Sequence, residues 1–189
     1  MRRILPKGAV ALGVLLPLAG CGGAPAPVSE AERARAAEAL EPLKRELLVA
    51  LTHALQEGGP ENAIGVCRLR APEVAASLSG DGLEVGRTSH RLRNPDNAPE
   101  PWMEPLLQAY LDHPTDTRPR TARLPDGRLG YVEPIRMKSM CLPCHGPEPD
   151  EGVMEKLAEL YPEDRATGFE PGDLRGMFWV KLPAEGGVS

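Results

Sequence analysis

The segment MCLPCHG, from Met140 to Gly146, sets two thiols three positions apart and an imidazole directly after the second. Three chemistries use such a group. A thiol pair can cycle through a disulfide, two thiols can form half of a zinc site, or both can add to the vinyl groups of a haem whose iron the next imidazole reaches. Pro143, between the cysteines, resembles redox C-x-P-C pairs at a helix N-terminus after a strand. Such a pair belongs early in a thioredoxin-like βαβ unit, whereas this one comes late, after an expected antiparallel hairpin. The blandest alternative is a structural disulfide. Zinc needs further ligands, and the chain has no second C-x-x-C and no H-x-x-x-H. We read the pattern as attachment of one haem c, with Cys141 and Cys144 as the thioether cysteines and His145 as an axial ligand of the iron.

The first residues bear on the compartment. Arg2, Arg3 and Lys7 precede an apolar run to Gly20 that is too short to span a bilayer stably, as in a secretion signal. Its end, LAGC, resembles the lipobox of bacterial lipoproteins and makes Cys21 the expected lipidated residue; an ordinary signal peptide cut near Ala19 or Gly20 is the alternative. Gly22 after it, rather than Asp, points to the outer membrane before the inner. The expected layout is a lipoprotein signal peptide over 1–20, lipidated Cys21 and a flexible tether over 21–28, one domain over 29–182 and a disordered tail over 183–189. The mature domain then holds three thiols, Cys67, Cys141 and Cys144, in an oxidising periplasm where an odd free thiol is a liability.

Composition narrows the rest. A formal net charge of -5 without a basic block argues against nucleic acid as a partner. Twenty glycines and 21 prolines demand many turns, and two Phe, two Trp and three Tyr leave the core to aliphatic residues, which a large buried cofactor would help to fill.

The elements that must position the site follow from periodicity. Ser29 and Glu32 form a capping box, and Leu40, Leu43, Leu47, Leu51 and Leu55 recur on one helical face, with a kink or restart expected at Pro42. EGGP at 57–60 ends that helix, and a second carries Ile64, Cys67, Ala71, Val74 and Leu78 on one stripe, so Cys67 faces inward. On its residues alone, Cys67 is either an inert core thiol or a ligand. A strand at LEVGRTS, a proline-rich turn at RNPDNAPEP and a short helix at WMEPLLQAYL come next. A hairpin over Thr117–Met137 turns at Pro125–Gly127, a helix follows at VMEKLAELYP, and a last strand at GDLRGMFWVKL has an expected bulge at Gly176. This order gives an α+β class with an antiparallel sheet. Arg87, Arg93 and Asn94, crowded beside the proline-rich turn, are candidates for the haem environment through its propionates, or else turn builders and solvated charges. His53, His90 and His113 read as surface residues, and Met137 and Met140 lie too near the attachment loop to cross to the other haem face.

Four ordered motifs, GVCRLRAPEVA, VGRTSHRLRNPDNAPEPW, CLPCHG and YPEDRATGFEPGDLRGMFWV, resemble a family of bacterial secreted single-haem c-type domains long catalogued as a domain of unknown function. That family also supplies the extracytoplasmic sensor part of some histidine kinases. The resemblance spans about 29–182. It implies a PAS-like domain whose covalent haem is ligated by the C-x-x-C-H histidine and the early V-C cysteine, here His145 and Cys67. No kinase or transmembrane module is visible, so any output is expected to pass through an unknown periplasmic redox or signalling partner, with the membrane reached through the lipid alone. The expected function is redox or small-ligand sensing, or electron transfer, without enzymatic activity. The alternative is an enzyme, either a thiol-disulfide oxidoreductase at Cys141 and Cys144 or a peroxidase-like haem protein.

Overall fold

The structure, a computed structural model, describes residues 27–184. The expected signal peptide, Cys21 and most of the tether lie outside the described residues, as does the tail from 185.

Helix α1 runs Glu30–Leu78. Its start is the expected capping box: the Ser29 hydroxyl accepts from the Glu32 amide, and the Glu32 carboxylate accepts from the Ser29 amide at 2.8 Å. The expected kink at Pro42 is absent from the backbone dihedrals, which leave the helical region only at Gly58 and Gly59. Packing overrides the local proline penalty, because Leu40 and Leu43 on either side are fully buried. Gly59 has φ +69, a conformation that disfavours side chains, so the EGGP signal does separate two helical segments. Asn62 Nδ2 donates to Ala54 O at 2.9 Å across this break.

Four strands, β1 (Glu84–Thr88), β2 (Arg120–Arg123), β3 (Leu129–Arg136) and β4 (Leu174–Leu182), form one antiparallel sheet in the order β1-β4-β3-β2. Alternation sends Tyr131 and Val180 to one face, where they meet Ala36, Leu40, Leu43 and Val74 of α1. Val132 and Met177 go to the other and meet Leu107 and Tyr110 of α2 (Glu104–Asp112). Pro105 is tolerated because it sits in the first turn of α2, where an amide has no intrahelical partner. Two further helices, α3 (Leu142–His145) and α4 (Glu151–Leu160), lie between β3 and β4 in the chain. The architecture is the expected α+β class. The bulge is present too: Ile135 opposes Gly176 while Arg136 opposes Leu174, which leaves Arg175 as the extra residue.

Glu32 does more than cap. It is buried and ion-paired with Arg123 of β2, joining the helix start to the edge of the sheet. The Ser29 amide bond, then Arg123, pulls its carboxyl from 4.5 to about 2. A carboxyl depressed on folding contributes stability above its unfolded pKa and loses it as pH falls through the folded one. Urea unfolding of wild type and Glu32→Gln should therefore show a stability gap at neutral pH that closes between pH 4.5 and about 2. A gap independent of pH would mean that packing alone accounts for the role of Glu32.

Candidate functional site

A cavity of about 440 Å³ lies among α1, β1, the end of β3 and α3, within the roughly 300–1,000 Å³ typical of cofactor sites. Cys67, Cys141, Cys144 and His145 all line it, and so do Arg87, Arg93 and Asn94. Chain segments far apart in sequence thus bring together every site residue singled out above except Cys21. The apolar stripe of α1 explains part of the wall. Leu40 and Leu43 are spent on the core, whereas Leu47, Leu51 and Leu55, farther along the same face, pass beyond the sheet and line the cavity.

His145 ends α3, a four-residue helix far too short to hold itself. A loop some twenty residues on provides its support. The Phe169 amide donates to the His145 carbonyl at 2.9 Å and the Gly168 amide to that of Gly146 at 2.7 Å. His145 Nδ1 lies 2.6 Å from the Ala166 carbonyl oxygen; a carbonyl can only accept, so Nδ1 carries the proton and Nε2 keeps its lone pair. Burial, reinforced by the Arg175 and Arg93 cations, holds the imidazole pKa down to about 2, so the ring is neutral. A neutral ring with a bare Nε2 is the form that binds a metal.

Arg93 is a clamp. Its guanidinium donates to the Cys144 carbonyl at 2.5 Å and pairs with Asp164 at 3.2 Å, holding the C-x-x-C-H turn to the 164–169 loop. Asp164 Oδ1 in turn accepts from the Ala166 amide at 2.8 Å, which builds the turn there. Asn94 Oδ1 accepts from the Asp96 amide at 3.1 Å and caps a short 3-10 turn, Pro95–Asn97. Of the two readings offered for Arg93 and Asn94, the structure gives each an internal partner. The Arg87 side chain has no hydrogen bond or ion pair with a described residue, and burial, partly offset by the field of the Cys67 thiol, lowers its pKa.

Burial pushes the Cys67 thiol up, against the pull of Arg87 and Arg93. Burial likewise raises Cys144, which packs beside Ile64, Val153 and Leu157. Among the described residues, no three His, Cys, Asp or Glu side chains form a metal-holding group of the kind structural zinc needs. His53 is 69% exposed beside Glu57, His113 caps the end of α2, and His90 is exposed with its ring edge against Phe169. None of these three lines the cavity. Met137 is buried in a separate cluster, and Met140 is an exposed residue at the cavity wall.

The charge of the lining was not apparent in the sequence. Seven basic residues line the cavity and no Asp or Glu does, in a chain of net charge -5. Lys44, Arg70 and Arg93 have carboxylate partners, in Glu133, Glu73 and Asp164. Arg87, Arg136, Lys138 and Arg175 form no ion pair with a described residue. The cavity is therefore apolar over much of its helical wall and cationic in net charge, a lining that suits a flat or bulky apolar body carrying negative groups. Among the described residues no helix is long and apolar enough to cross a membrane.

A family profile described as Tll0287-like matches residues 26–183. Among solved structures, the chain is similar to one titled the crystal structure of the cyanobacterial heme-protein Tll0287. The two share 28% identity over 82% of this chain and 97% of that one, with a TM-score of 0.58. No curated protein matches the chain.

Proposed function

We propose, from the premise that the chain belongs to the Tll0287-like family, that it is a single-haem c-type protein for redox or small-ligand sensing or for electron transfer. The fold is α+β with a PAS-like antiparallel sheet, and the solved relative is a haem protein. The observation that carries the reading is the convergence of Cys141, Cys144, a neutral His145 and Cys67 on one apolar and cationic cavity free of acidic lining.

In this reading Cys141 and Cys144 would hold the haem by two thioethers, and His145, through Nε2, and Cys67, through sulfur, would ligate its iron. Ala166 keeps the proton on the far nitrogen of His145. Arg93 holds the attachment turn, Asn94 shapes the loop beside it, and Arg87 offers its charge to the occupant. When bound, a haem supplies reversible one-electron chemistry at its iron. Cys67 and His145 together leave no coordination position for an organic substrate, which weighs against an enzyme. Protein matured in an exporting cell should show an intense Soret absorption. A colourless protein with Cys141 and Cys144 in a reducible disulfide would overturn the reading in favour of the oxidoreductase.

The lipid anchor belongs to the same proposal. A polyacylated Cys21 would carry the two or more chains that stable retention needs, on the periplasmic face of the outer membrane. Cys21→Ser should move the protein from the membrane fraction to the soluble periplasm with its haem intact. If the variant stayed with the membranes, another segment would have to be the anchor.

A further inference from the structure

The structure assigns Arg175, aimed by the bulge in β4 and paired with Arg87, as the receptor for a carboxylate of the cavity's occupant. The assignment rests on the haem reading above, which gives that occupant two propionates, and it names the residues that hold one of them.

The backbone supplies the first observation. Arg175 is the residue that β4 inserts between the partners of Ile135 and Arg136. A bulge re-aims a side chain, and here the re-aimed side chain lines the cavity. The neighbouring position must be glycine, because a Cβ on Gly176 would collide with the Thr88 carbonyl oxygen of β1. The bulge therefore brings the β1 and β4 backbones close together, and the two strands deliver Arg87 and Arg175 to one wall.

Donor accounting supplies the second. The Arg175 guanidinium makes one hydrogen bond, from Nη1 to the Arg91 carbonyl at 3.2 Å, and lies 5.6 Å from the centre of the Phe169 ring. It has no ion pair with a carboxylate among the described residues, and the Arg87 guanidinium has neither hydrogen bond nor ion pair there. Arg93 and Asn94, nearest the attachment turn, are already engaged by Asp164, the Cys144 carbonyl and the Asp96 amide. Burial, with Arg93 and Arg87 close by, lowers Arg175 to about 9, as expected for clustered guanidinium groups short of a counter-ion. Planar forks of this kind pair with carboxylates two bonds at a time.

The test compares two ligands that differ only in charge. In the full chain carrying Cys141→Ala and Cys144→Ala, ferric protoporphyrin IX should bind more tightly than its dimethyl ester. Adding Arg175→Gln should weaken the diacid about tenfold or more, the scale of one charge-assisted hydrogen bond, and leave the ester unchanged. Arg175→Lys should recover part of the loss. Equal weakening of both ligands, or of neither, would reduce Arg175 to a packing residue and overturn the assignment. Should the chain lacking Cys141 and Cys144 bind neither porphyrin, the matured protein gives the same answer. Arg175→Gln should shift the propionate bending mode in its resonance Raman spectrum, and an unshifted mode in a chain that retains the mass of one haem would sink the assignment alone. A matured wild-type chain without that mass would sink the haem reading as well.

Discussion

Cys67→Ala should keep the haem covalently attached, change its low-spin ferric spectrum and raise its midpoint potential by on the order of 0.1 V, a fraction of the roughly 0.8 V that axial ligands command. The reasoning is electrostatic. Ferric iron, a dianionic porphyrin ring and a thiolate sum to zero, so reduction leaves a net negative charge in a cavity walled by Leu47, Leu51 and Ile64. With a neutral ligand in that place, reduction instead removes a positive charge. Arg87 and Arg93 act on Cys67 from nearby and soften this penalty without cancelling it, since Arg93 is neutralised by Asp164. In the proposed site, reduction of the haem or protonation of the sulfur would weaken the Cys67 bond, and a ligand exchange there is the proposed sensing step. Potentiometry and electron paramagnetic resonance on the variant decide the matter. An unchanged potential and an unchanged signal would make Cys67 a packed core thiol.

The second large effect concerns attachment. After denaturation and extraction with acidified organic solvent, wild-type protein should keep the mass of one haem. Cys141→Ala with Cys144→Ala should keep none, and each single variant should hold the group by one bond. Free thiols or a reducible disulfide at Cys141 and Cys144 in the matured wild type would contradict the proposal directly. The two cysteines sit in different apolar clusters, Cys141 beside Met137 and Phe169, Cys144 beside Ile64 and Leu157. Loss of either is therefore expected to disturb a different side of the cavity.

Much of the site was legible because its cues are local. The spacing of Cys141, Cys144 and His145 is a chemical pattern in itself, and Ile64, Cys67, Ala71 and Val74 share a stripe that any helix would turn inward. The strands and their order of appearance were equally local, down to the bulge at Gly176. The failures are all non-local. Nothing near Pro42 reveals that Leu40 and Leu43 will be clamped in a core. Arg87 and Arg93 look alike in sequence, and only Asp164, 71 positions beyond Arg93, separates their roles. Arg175 was passed over although the bulge beside it was expected, because the direction of a bulged side chain depends on which strand it pairs with. The cationic lining, drawn from residues between 44 and 175, could not be seen before those segments were assembled.

The attachment turn borrows its shape, and this sets an order of events. Residues 142–145 are too few for a self-standing helix, and the carbonyls of Cys144, His145 and Gly146 are claimed by Arg93 from one side and by the amides of Phe169 and Gly168 from the other. Closing those long loops is slow compared with forming α1 or the β2–β3 hairpin. If the neighbouring elements form first, Cys141 and Cys144 would stay on a pliable stretch, open to an enzyme that modifies thiols, until docking of the 164–169 loop drew them in. The time allowed for the proposed covalent chemistry would then follow the pace of folding, and a change at Asp164 that delayed docking would lengthen it without touching either thiol.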